Sequence, residues 1–428
     1  MKEKIAIIGS GIAGMTCSWH LRHDYDVYVF EKENYVGGHT NTVSVNENGS
    51  DVPIDTGFMV YNDRTYPLLN KLFAELEVQY QETDMSFGVN LVDQNRYYSC
   101  SGLNTFFAQR KQILNPSQWK LGLGISKFFK VANLFLEENK FPELSIAQFF
   151  KIYELDQSLA RDFLYPMASA IWSTHHDGIE QFPALSLFRF MSNHGLLGIG
   201  TQFKWKTLKG GSRQYRDKIL AKLDHPVEIS NGVVSVVEQK DQVSIETAAG
   251  DLKSFDRVIV ATHADQALAL LAKPNPLQKK LLSHFKYTKN RAILHTDESV
   301  MPPQRRAWAS WNYRVHTSEG GNPSASTHYW MNNLQTLPTN KNYFVSVDYE
   351  GDLDSDLVCW TKDYEHPCFN RMAMEAQPEL PKLNQDSKIL FCGSYFGYGF
   401  HEDAHAAAMK VVHQLKTEKN KRHEIMSV

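Results

Sequence analysis

Three glycines near the N-terminus have the spacing of a phosphate-binding turn. Gly9, Gly11 and Gly14 follow a short apolar run rich in β-branched residues and precede a helical pattern. In such a turn the first glycine allows the bend, the second lets a pyrophosphate approach backbone N–H groups at the helix N-terminus, and the third lets helix and strand pack closely. Ser10 and Ala13 lie in the same turn and are predicted to contact the molecule that carries this pyrophosphate.

An acidic residue follows where a bound dinucleotide would need one. Glu31 ends a second apolar run, residues 27–30, and lies seventeen residues after Gly14. Its carboxylate can accept hydrogen bonds from the hydroxyls of an adenosine ribose. Strand, glycine turn, helix, strand and acid in this order form the complete βαβ fingerprint of dinucleotide binding, whereas the glycine triplet alone could be an ordinary turn.

Further glycines distinguish FAD from NAD. Gly37 and Gly38 lie shortly after Glu31, where a second backbone segment can pass over the cofactor phosphates, and Gly57 follows another strand pattern. The chain here resembles the flavin amine oxidase and phytoene desaturase superfamily, whose members carry an acid, a Gly-Gly pair and an Asp-x-Gly segment in this order. The resemblance implies FAD as the cofactor and five neighbouring residues beside it: Lys32, His39, Thr40, Phe58 and Met59.

The same pattern continues in the second half of the chain. Val233 begins a strand, and the resemblance implies that its backbone meets the adenine, although an ordinary core position is the alternative. Gly393 would reach the pyrophosphate and ribityl chain, and Ser394 stands where many relatives carry an acid. The last predicted helix would turn its first N–H groups towards the flavin, where the helix dipole stabilises the reduced anion. That helix begins with His401, Glu402 and Asp403.

Longer motifs indicate a narrower group. Segments 55–62, 193–197 and 397–403 are among those that resemble amine-oxidase-like NAD/FAD-binding proteins often found beside cyclopropane-fatty-acid synthases. Relatives have been linked to the oxidation of methylated acyl chains. The resemblance therefore implies a lipid acyl substrate and a cyclopropane-fatty-acid-synthase-like partner. Ala404 and His405 depart from the family, which often has glycine and a small residue there.

The resemblance also implies the architecture. We expect an α/β fold, with a Rossmann-type FAD-binding domain of the amine oxidase, glutathione-reductase-like kind and a discontinuous α+β substrate domain. The FAD-binding domain is expected to be built from three pieces: residues 1–84, 201–268 and 385–420. The substrate domain and a flexible tail are expected to account for the rest: residues 85–200 and 269–384, then 421–428.

The residues that would perform the chemistry are predicted from context. A flavin enzyme that removes a hydride needs an apolar, water-poor pocket more than a nucleophile. Tyr398 lies between Gly393 and the last helix and is expected beside the flavin ring. Trp172 could wall the same pocket, and core packing is the alternative for each aromatic residue. A strand alignment places Arg291 near the lysine that holds a water in many amine oxidases; a surface ion pair, or an alignment shifted by two residues, is the alternative.

No metal site is predicted. Residues 401–405 match the H-E-x-x-H pattern of zinc proteases, but they follow a glycine-rich flavin segment and no third ligand is placed by the sequence. Residues 175–177 read His-His-Asp, and adjacent side chains point apart on a helix or strand. Both groups are therefore interpreted without a metal ion.

Composition limits the partners. Lys and Arg number 45 and Asp and Glu 48, a net charge of −3, so no basic field is available for nucleic acid. Five scattered cysteines favour a reducing, cytoplasmic compartment. No uncharged apolar run reaches the ~18–20 residues that span a bilayer, so at most peripheral contact with the inner membrane face is expected. Residues 121–136 form an amphipathic pattern, which either packs on the core or lies at a lipid-facing tunnel mouth.

These observations favour one function over two alternatives. We expect an FAD-dependent oxidoreductase that removes a hydride from, or isomerises, a modified or unsaturated fatty acyl chain. The first alternative is a flavin amine oxidase. The second is a flavin-bound, non-redox subunit that presents lipid to a methyltransferase. Reduction of the flavin by an added substrate would separate the enzymes from the subunit.

Overall fold

The computed structural model describes residues 2–138, 143–172, 176–198, 200, 203–317 and 323–426. Its strands, in chain order, are β1 Lys4–Ile8, β2 Asp26–Phe30, β3 Thr42–Glu47, β4 Ser50–Asp55, β5 Tyr61–Asn62, β6 Tyr80–Thr83, β7 Phe87–Leu91, β8 Arg96–Ser99, β9 Trp205–Leu208, β10 Val233–Glu238, β11 Val243–Thr247, β12 Leu252–Phe255, β13 Arg257–Val260, β14 Lys286–His295, β15 Trp311–Thr317, β16 Pro323–Trp330, β17 Phe344–Val347, β18 Val358–Cys368 and β19 Ile389–Phe391.

The α-helices are α1 Ile12–Leu21, α2 Pro67–Glu75, α3 Leu103–Phe106, α4 Pro116–Glu138, α5 Ile146–Ile152, α6 Gln157–Leu159, α7 Tyr165–Trp172, α8 Ala184–Asn193, α9 Arg213–Leu220, α10 Ala264–Leu270, α11 Pro276–Leu282, α12 Met331–Gln335, α13 Arg371–Ala376 and α14 His401–Met426. A π-helical segment, Ala160–Leu164, precedes α7. Short 3₁₀ helices lie at Val92–Gln94, Arg110–Leu114, His176–Gln181, Glu298–Val300, Arg305–Ala307, Ser355–Leu357, Gln377–Asn384 and Ser394–Phe396. None of the helices in the described part of the chain combines the length and the hydrophobicity that a membrane-spanning segment requires.

A parallel sheet positions the glycine turns. Its order is β19-β13-β1-β2, and every neighbouring pair runs parallel. The apolar run of β1 is buried because α1 covers the sheet and α14 packs on α1. Since parallel strands end at the same edge, the turn after β1 and the residues that follow β2, β13 and β19 meet there, and ligands bind at such an edge.

A second, larger sheet faces this edge. Its order is β18-β14-β17-β16-β15-β7-β8, and among these pairs only β15 and β7 run parallel. Helices α4 to α8 pack beside it around a cluster of phenylalanines that includes Phe128, Phe149 and Phe188. The amphipathic segment 121–136 lies within α4, so its buried face packs on this core. The edge of the parallel sheet and this aromatic layer are the two halves of the site described below.

Parts of the chain on both sides of the predicted domain boundaries pack in one hydrophobic core. Strands β1, β2, β13 and β19 come from the three pieces assigned to FAD binding. Helices α11 and α13, which lie in residues 269–384, share a core with β1, β13 and β19 through residues such as Leu281 and Ala373. The boundaries themselves stay a prediction.

A row of buried polar side chains crosses the larger sheet. His295 Nε2 lies 2.6 Å from Ser346 Oγ, which lies 2.6 Å from His328 Nδ1, and His328 Nε2 lies 2.9 Å from Ser326 Oγ. The backbone N–H of Asp297 donates to His295 Nδ1. Each group therefore donates to the next only while both imidazoles are neutral, because protonation of either ring turns its acceptor nitrogen into a donor.

These two histidines predict a loss of stability in acid. Burial lowers the pKa of His295 to about 4 and that of His328 well below its usual value. The unfolded chain then binds protons that the folded chain excludes, so the stability is complete above pH 6.5 and is lost as the pH falls through the folded pKa. His295 alone should account for about 1.5 kcal/mol of the free energy of unfolding between pH ~6.5 and pH ~5.

Chemical denaturation at the two pH values measures this effect. The control variant is His295→Gln, whose amide oxygen can accept from Asp297 and whose amide N–H can donate to Ser346. Its unfolding free energy should fall less steeply with decreasing pH than that of the unmodified protein. Equal slopes would contradict the assignment of the acid sensitivity to His295.

Candidate active site

The turn after β1 uses its glycines in different ways. Gly9 has a φ of +98°, which favours glycine, and a Cβ there would lie 2.8 Å from Ala261 O. Gly14 allows α1 to pack on the turn, because a Cβ at this position would lie 1.9 Å from Gly9 O. A Cβ at Gly11 would meet no described atom within 4 Å, and Gly11 lines a cavity together with Ala13. Only Gly11 therefore leaves room for something outside the chain.

Glu31 is held at the end of β2 by the same turn. Its Oε2 accepts hydrogen bonds from Ser10 N–H at 3.0 Å and Ser10 Oγ–H at 2.5 Å, and its Oε1 accepts from Glu33 N–H at 2.9 Å. Ser10 Oγ also accepts from Gly37 N–H at 3.1 Å. Each carboxylate oxygen has further lone pairs, so Glu31, which lines the cavity, can still accept from a hydroxyl of a bound ribose.

The second glycine pair covers the first turn. Gly37 and Gly38 have φ values of +127° and +59°, and a Cβ at Gly38 would lie 3.4 Å from Gly11 Cα. Gly38 lines the cavity, whereas Gly37 packs against Thr40 O, which its Cβ would approach to 2.5 Å. Two backbone segments without side chains thus meet above the carboxyl end of β1, so an anion can approach the backbone closely there. The N–H groups of Gly9 and Gly37 themselves donate within the chain, to Phe30 O and Ser10 Oγ.

His39 carries an unused polar atom at the cavity wall. Its ring stacks on Tyr364, with centroids 4.7 Å apart, and lies 5.2 Å from that of His366. Burial, with His366 nearby, lowers the pKa of His39 well below its usual range. Its Nε2 is enclosed and has no partner among the described residues. Because an unpaired buried nitrogen costs stability, this atom suits a site where a bound group completes its hydrogen bonding.

The segment after β4 joins His39 to the start of α14. A Cβ at Gly57 would lie 2.3 Å from His39 O, so this close approach requires glycine. Phe58 stacks on His401 with ring centroids 4.0 Å apart, and Thr40 Oγ1 lies 3.2 Å from His401 Nε2. Burial lowers the pKa of His401 to about 3, so its ring is neutral. Phe58 and His401 line the cavity, as does Met59, whereas Thr40 lies behind them.

Glu402 contacts another helix instead of the cavity. Its two carboxylate oxygens accept the backbone N–H groups of Leu68 and Leu69, at 2.7 and 2.9 Å. These donors lie in the first turn of α2, so Glu402 caps that helix. Burial raises the pKa of its carboxyl group. Its side chain thus has a structural partner, and the expected approach of the first N–H groups of α14 to the flavin stays a prediction.

Asp403 shapes the loop that precedes α14. Its Oδ2 accepts the N–H groups of Tyr398 and Phe400, both at 3.0 Å, and burial raises its pKa to about 6. Asp403 is not among the cavity residues, whereas the side chain of Tyr398, which is 41% exposed, lines the wall. Gly393 and Ser394 line the same wall. Asp403 therefore acts on the cavity through the conformation of this loop.

The far end of the cavity lies between β2 and β10. A Cβ at Gly232 would lie 2.6 Å from Lys32 Cβ, so the two segments are in close contact. Lys32, Gly232 and Val233 all line the cavity. Val233 is also part of the core with Val236, so the structure places it both in the strand core and at the cavity wall.

The cavity has a volume of about 1340 Å³. Small-molecule pockets are commonly ~300–1,000 Å³, so this space can hold a dinucleotide and a second molecule together. One half is formed by the glycine turns and the residues described above. The other half is formed by the helical layer and the larger sheet, including Phe87, Phe106, Ile125, Phe129, Phe163, Met167 and Trp311. Tyr395 lies outside this wall and packs on Phe285 in the core.

The predicted catalytic residues lie in different places. Arg291 is exposed on β14 and is absent from the cavity wall, and its backbone N–H donates to Asp348 at 2.9 Å. Lys289, two residues earlier on the same strand, does line the cavity. Trp172 ends α7, and its side chain lies outside the described residues. Of the three candidates, the structure brings Tyr398 to the cavity.

Sequence reasoning missed several residues that join the two halves. Tyr364 and His366 lie two residues apart on β18, and both contact His39: the ring of Tyr364 is stacked on it and that of His366 is tilted against it. The period of two along a strand, which places both side chains on one face, was the available signal. The sequence indicated Asp55 only as the acid of the Asp-x-Gly segment, whereas its carboxylate accepts hydrogen bonds from Ser212 N–H and Gln335 Nε2–H. Among the described residues, no group of three or more His, Cys, Asp or Glu is placed to hold a metal ion. His175 and its neighbours in 175–177 lie outside the described side chains.

The sequence model of the flavin-containing amine oxidoreductases matches residues 12–358. The chain belongs to this family. No protein of curated function matches the sequence. Among solved structures, the CLA-producing fatty acid isomerase from P. acnes has a TM-score of 0.67 and 13% identity, over 96% of this chain and 98% of that one. Putrescine oxidase bound to putrescine has a TM-score of 0.68 and 13% identity, over 97% and 99%. These similarities confirm the α/β fold class.

FAD is the cofactor of this flavin oxidoreductase, and the described residues fit it. Gly11 leaves space beside the helix N-terminus, Glu31 keeps free lone pairs, and His39 Nε2 lacks a partner. When bound, FAD supplies an acceptor for a hydride or for electrons. The chain contributes backbone N–H groups for the phosphates, neutral imidazoles and an aromatic wall that excludes water.

Proposed function

We propose that this flavoprotein dehydrogenates or isomerises an unsaturated, methylated or cyclopropanated fatty acyl chain. The observation that carries this proposal is the composition of one half of the cavity. Among the described lining residues between positions 85 and 200, none is Asp, Glu, Lys or Arg. This half, here called the apolar arm, extends from Phe87 and Met167 to α3 and the first half of α4.

The apolar arm suits a hydrocarbon better than an amine. Its walls are aromatic and aliphatic, with Phe106, Ile125, Phe129 and Phe163 along its length. Burial of an alkyl chain against such walls is favourable, whereas a buried ammonium group requires a charged or hydrogen-bonding partner. Among the described lining residues of the arm, His194 carries the one imidazole, and burial lowers its pKa, so it is neutral.

One observation favours the alternative of an amine oxidase. Lys289 lines the cavity, and it lies where an alignment shifted by two residues would place the water-binding lysine of that class. Glu365, on the neighbouring strand, also lines the cavity and is a carboxylate that could accept an ammonium group. The neighbour structures include both a fatty acid isomerase and a putrescine oxidase, so the fold supports either class.

An anaerobic titration of the FAD-loaded protein tests the proposal. Soluble fatty acids with unsaturated, cyclopropane or methyl-branched chains are added, the visible flavin band is followed, and the recovered acids are analysed by gas chromatography. Bleaching with an added double bond would support dehydrogenation, and a shifted double bond without net bleaching would support isomerisation. Peroxide release with a panel of amines in air would instead support an amine oxidase. Unchanged flavin and unchanged acids, together with a stable complex with a cyclopropane-fatty-acid synthase, would favour the partner-subunit alternative.

A single substitution in α4 should shorten the apolar arm. Gly122 lines the cavity, and a Cβ there would lie 3.4 Å from the ring of Phe106. Gly122→Leu should therefore reduce kcat/KM for long acyl chains by about tenfold or more, and leave short chains unaffected, since each methylene in an apolar pocket is worth about 1–3 kcal/mol. The matched control is Ser126→Leu, one turn later on the exposed face of the same helix. An equal loss for all chain lengths would argue against an acyl chain in this arm.

A further inference from the structure

We propose that the surface around the outer end of the apolar arm docks on an anionic phospholipid bilayer. This surface, called the mouth face, comprises α3, the 3₁₀ helix Arg110–Leu114 and residues 116–127 of α4. The inference rests on the proposed function in one respect, namely that the acyl chain enters the arm from the bilayer. The docking itself is independent of the chemistry.

The mouth face exposes large apolar side chains close together. Leu103, Leu114 and Leu123 are 74%, 88% and 71% exposed, and Ile113 and Trp119 are also exposed. Scattered exposed leucines are common, but five large apolar residues within one short stretch of surface are not. The transfer of such exposed apolar groups from water into the interfacial region of a membrane is favourable.

These side chains belong to one ordered surface. Trp119 Nε1–H donates to Ile113 O at 2.8 Å, and its ring lies 4.7 Å from that of Phe107, centroid to centroid. Gln118 Nε2–H donates to Phe106 O at 3.1 Å, which ties α4 to α3. The apolar residues are therefore held by packing and hydrogen bonds, and they form a preorganised patch.

The charge of the mouth face is complementary to an anionic bilayer. Residues 101–136 contain five Lys or Arg and no Asp or Glu, in a chain whose net charge is −3. Lys120 forms an ion pair with Asp156, and Lys127 donates to a backbone oxygen, Glu154 O, at 3.2 Å. Arg110 and Lys111 are exposed and precede the exposed Leu114 in the same 3₁₀ helix. Basic groups around an apolar centre with an exposed tryptophan are typical of interfacial membrane binding.

The mouth face is continuous with the proposed substrate site. Leu103, Trp119 and Leu123 are exposed and at the same time line the cavity. An acyl chain could thus pass from a bilayer into the arm between these residues without crossing water. This continuity favours a bilayer over a protein as the occupant, because the surface that would be covered is also the entrance to an apolar cavity of about 1340 Å³.

Vesicle flotation of the FAD-loaded protein tests the docking. The probes are vesicles of phosphatidylcholine alone and of phosphatidylcholine with phosphatidylglycerol in equal parts. We expect the protein to float with the anionic vesicles, to float less with the neutral ones, and to be released by added salt. The double variant Lys111→Glu/Leu114→Glu, which changes no cavity residue, should lower the fraction bound to anionic vesicles at least about tenfold.

The matched control carries the same substitutions elsewhere. Leu252, on β12, is 78% exposed and Lys273 is exposed, so Leu252→Glu/Lys273→Glu makes the same change in charge and side-chain type away from the mouth face. This control should float like the unmodified protein, and all variants should keep the same flavin spectrum and Tm. Absence of flotation with both vesicle types, or equal flotation of the mouth-face variant, would overturn the docking. So would loss of self-association in the mouth-face variant without any vesicle binding, since a second copy would then be the occupant.

The two proposals fail in distinguishable ways. Conversion of soluble fatty acids tests the chemistry without a membrane, so it can succeed while flotation fails. Conversely, flotation with no conversion of any acid would support docking and contradict the proposed reaction on acyl chains. If both the docking and the reaction are correct, the mouth-face variant should keep its activity on soluble acids and lose activity on phospholipid chains in vesicles.

Discussion

Gly11→Val should abolish FAD binding and leave the protein folded. Gly11 has an extended backbone, with φ −63° and ψ −180°, which valine adopts readily, and its Cβ would meet no described atom within 4 Å. The branched side chain would instead occupy the space at the N-terminus of α1, where a pyrophosphate must approach backbone N–H groups. We expect FAD affinity to fall at least about a hundredfold, equivalent to about 3 kcal/mol.

Two measurements separate loss of the cofactor from loss of the fold. Flavin absorbance after purification and equilibrium titration report binding, and the Tm of the FAD-free protein reports folding. Gly14→Val is the matched comparison, because its Cβ would lie 1.9 Å from Gly9 O and would separate α1 from the turn. It should lower the Tm of the FAD-free protein, whereas Gly11→Val should not. Normal flavin content in Gly11→Val would contradict the assignment of the FAD pyrophosphate to the N-terminus of α1.

The glycine turns could be predicted from the sequence because their roles are local. The approach of Gly14 to Gly9 and the acid at Glu31 depend on a βαβ unit whose pieces are consecutive in the chain. Spacing alone therefore specifies them. The second pair, Gly37 and Gly38, is nearly as local, and the structure places it directly over the first turn.

Long-range partners explain where sequence reasoning was limited. Glu402 caps a helix more than three hundred residues away in the chain, and no local pattern indicates that its carboxylate is already used. The parallel pairing of β7 with β15 likewise joins strands more than two hundred residues apart. On β14, the alignment pointed to Arg291, but the fold presents Lys289 to the cavity. The two residues share one face of β14, so their position along the strand relative to the rest of the fold decides which side chain reaches the site.

Asp55 and Gln335 should be strongly coupled in stability. Asp55 Oδ1 accepts from Thr42 Oγ1–H at 2.6 Å and Ser212 Oγ–H at 2.8 Å, and Oδ2 accepts from Gln335 Nε2–H at 2.8 Å. Gln335 Oε1 in turn accepts from Asp55 N–H at 2.8 Å. Burial raises the pKa of Asp55 to about 6, so at pH ~8 it is ionised and surrounded by donors.

Each single substitution should break this arrangement. Asp55→Asn replaces Oδ2 with an N–H donor that faces the Nε2–H donor of Gln335. A flip of the Gln335 amide would not remove this conflict, because its NH₂ group would then face the backbone N–H of residue 55. We expect a loss of about 2 kcal/mol in the free energy of unfolding. Gln335→Glu should cost more, about 3 kcal/mol, since it places a second buried carboxylate against the first.

The double variant should recover much of that loss. With Asp55→Asn and Gln335→Glu together, the carboxylate at 335 can accept from both the amide side chain and the backbone N–H at 55, and Thr42 and Ser212 keep an acceptor. Chemical denaturation of the four FAD-free proteins at pH ~8 should give a coupling of about 2 kcal/mol or more, whereas additive losses would contradict the hydrogen-bond assignment. Because Ser212 directly precedes α9 and Asp55 ends β4 two residues before Gly57, the single variants should also retain less FAD than the double variant.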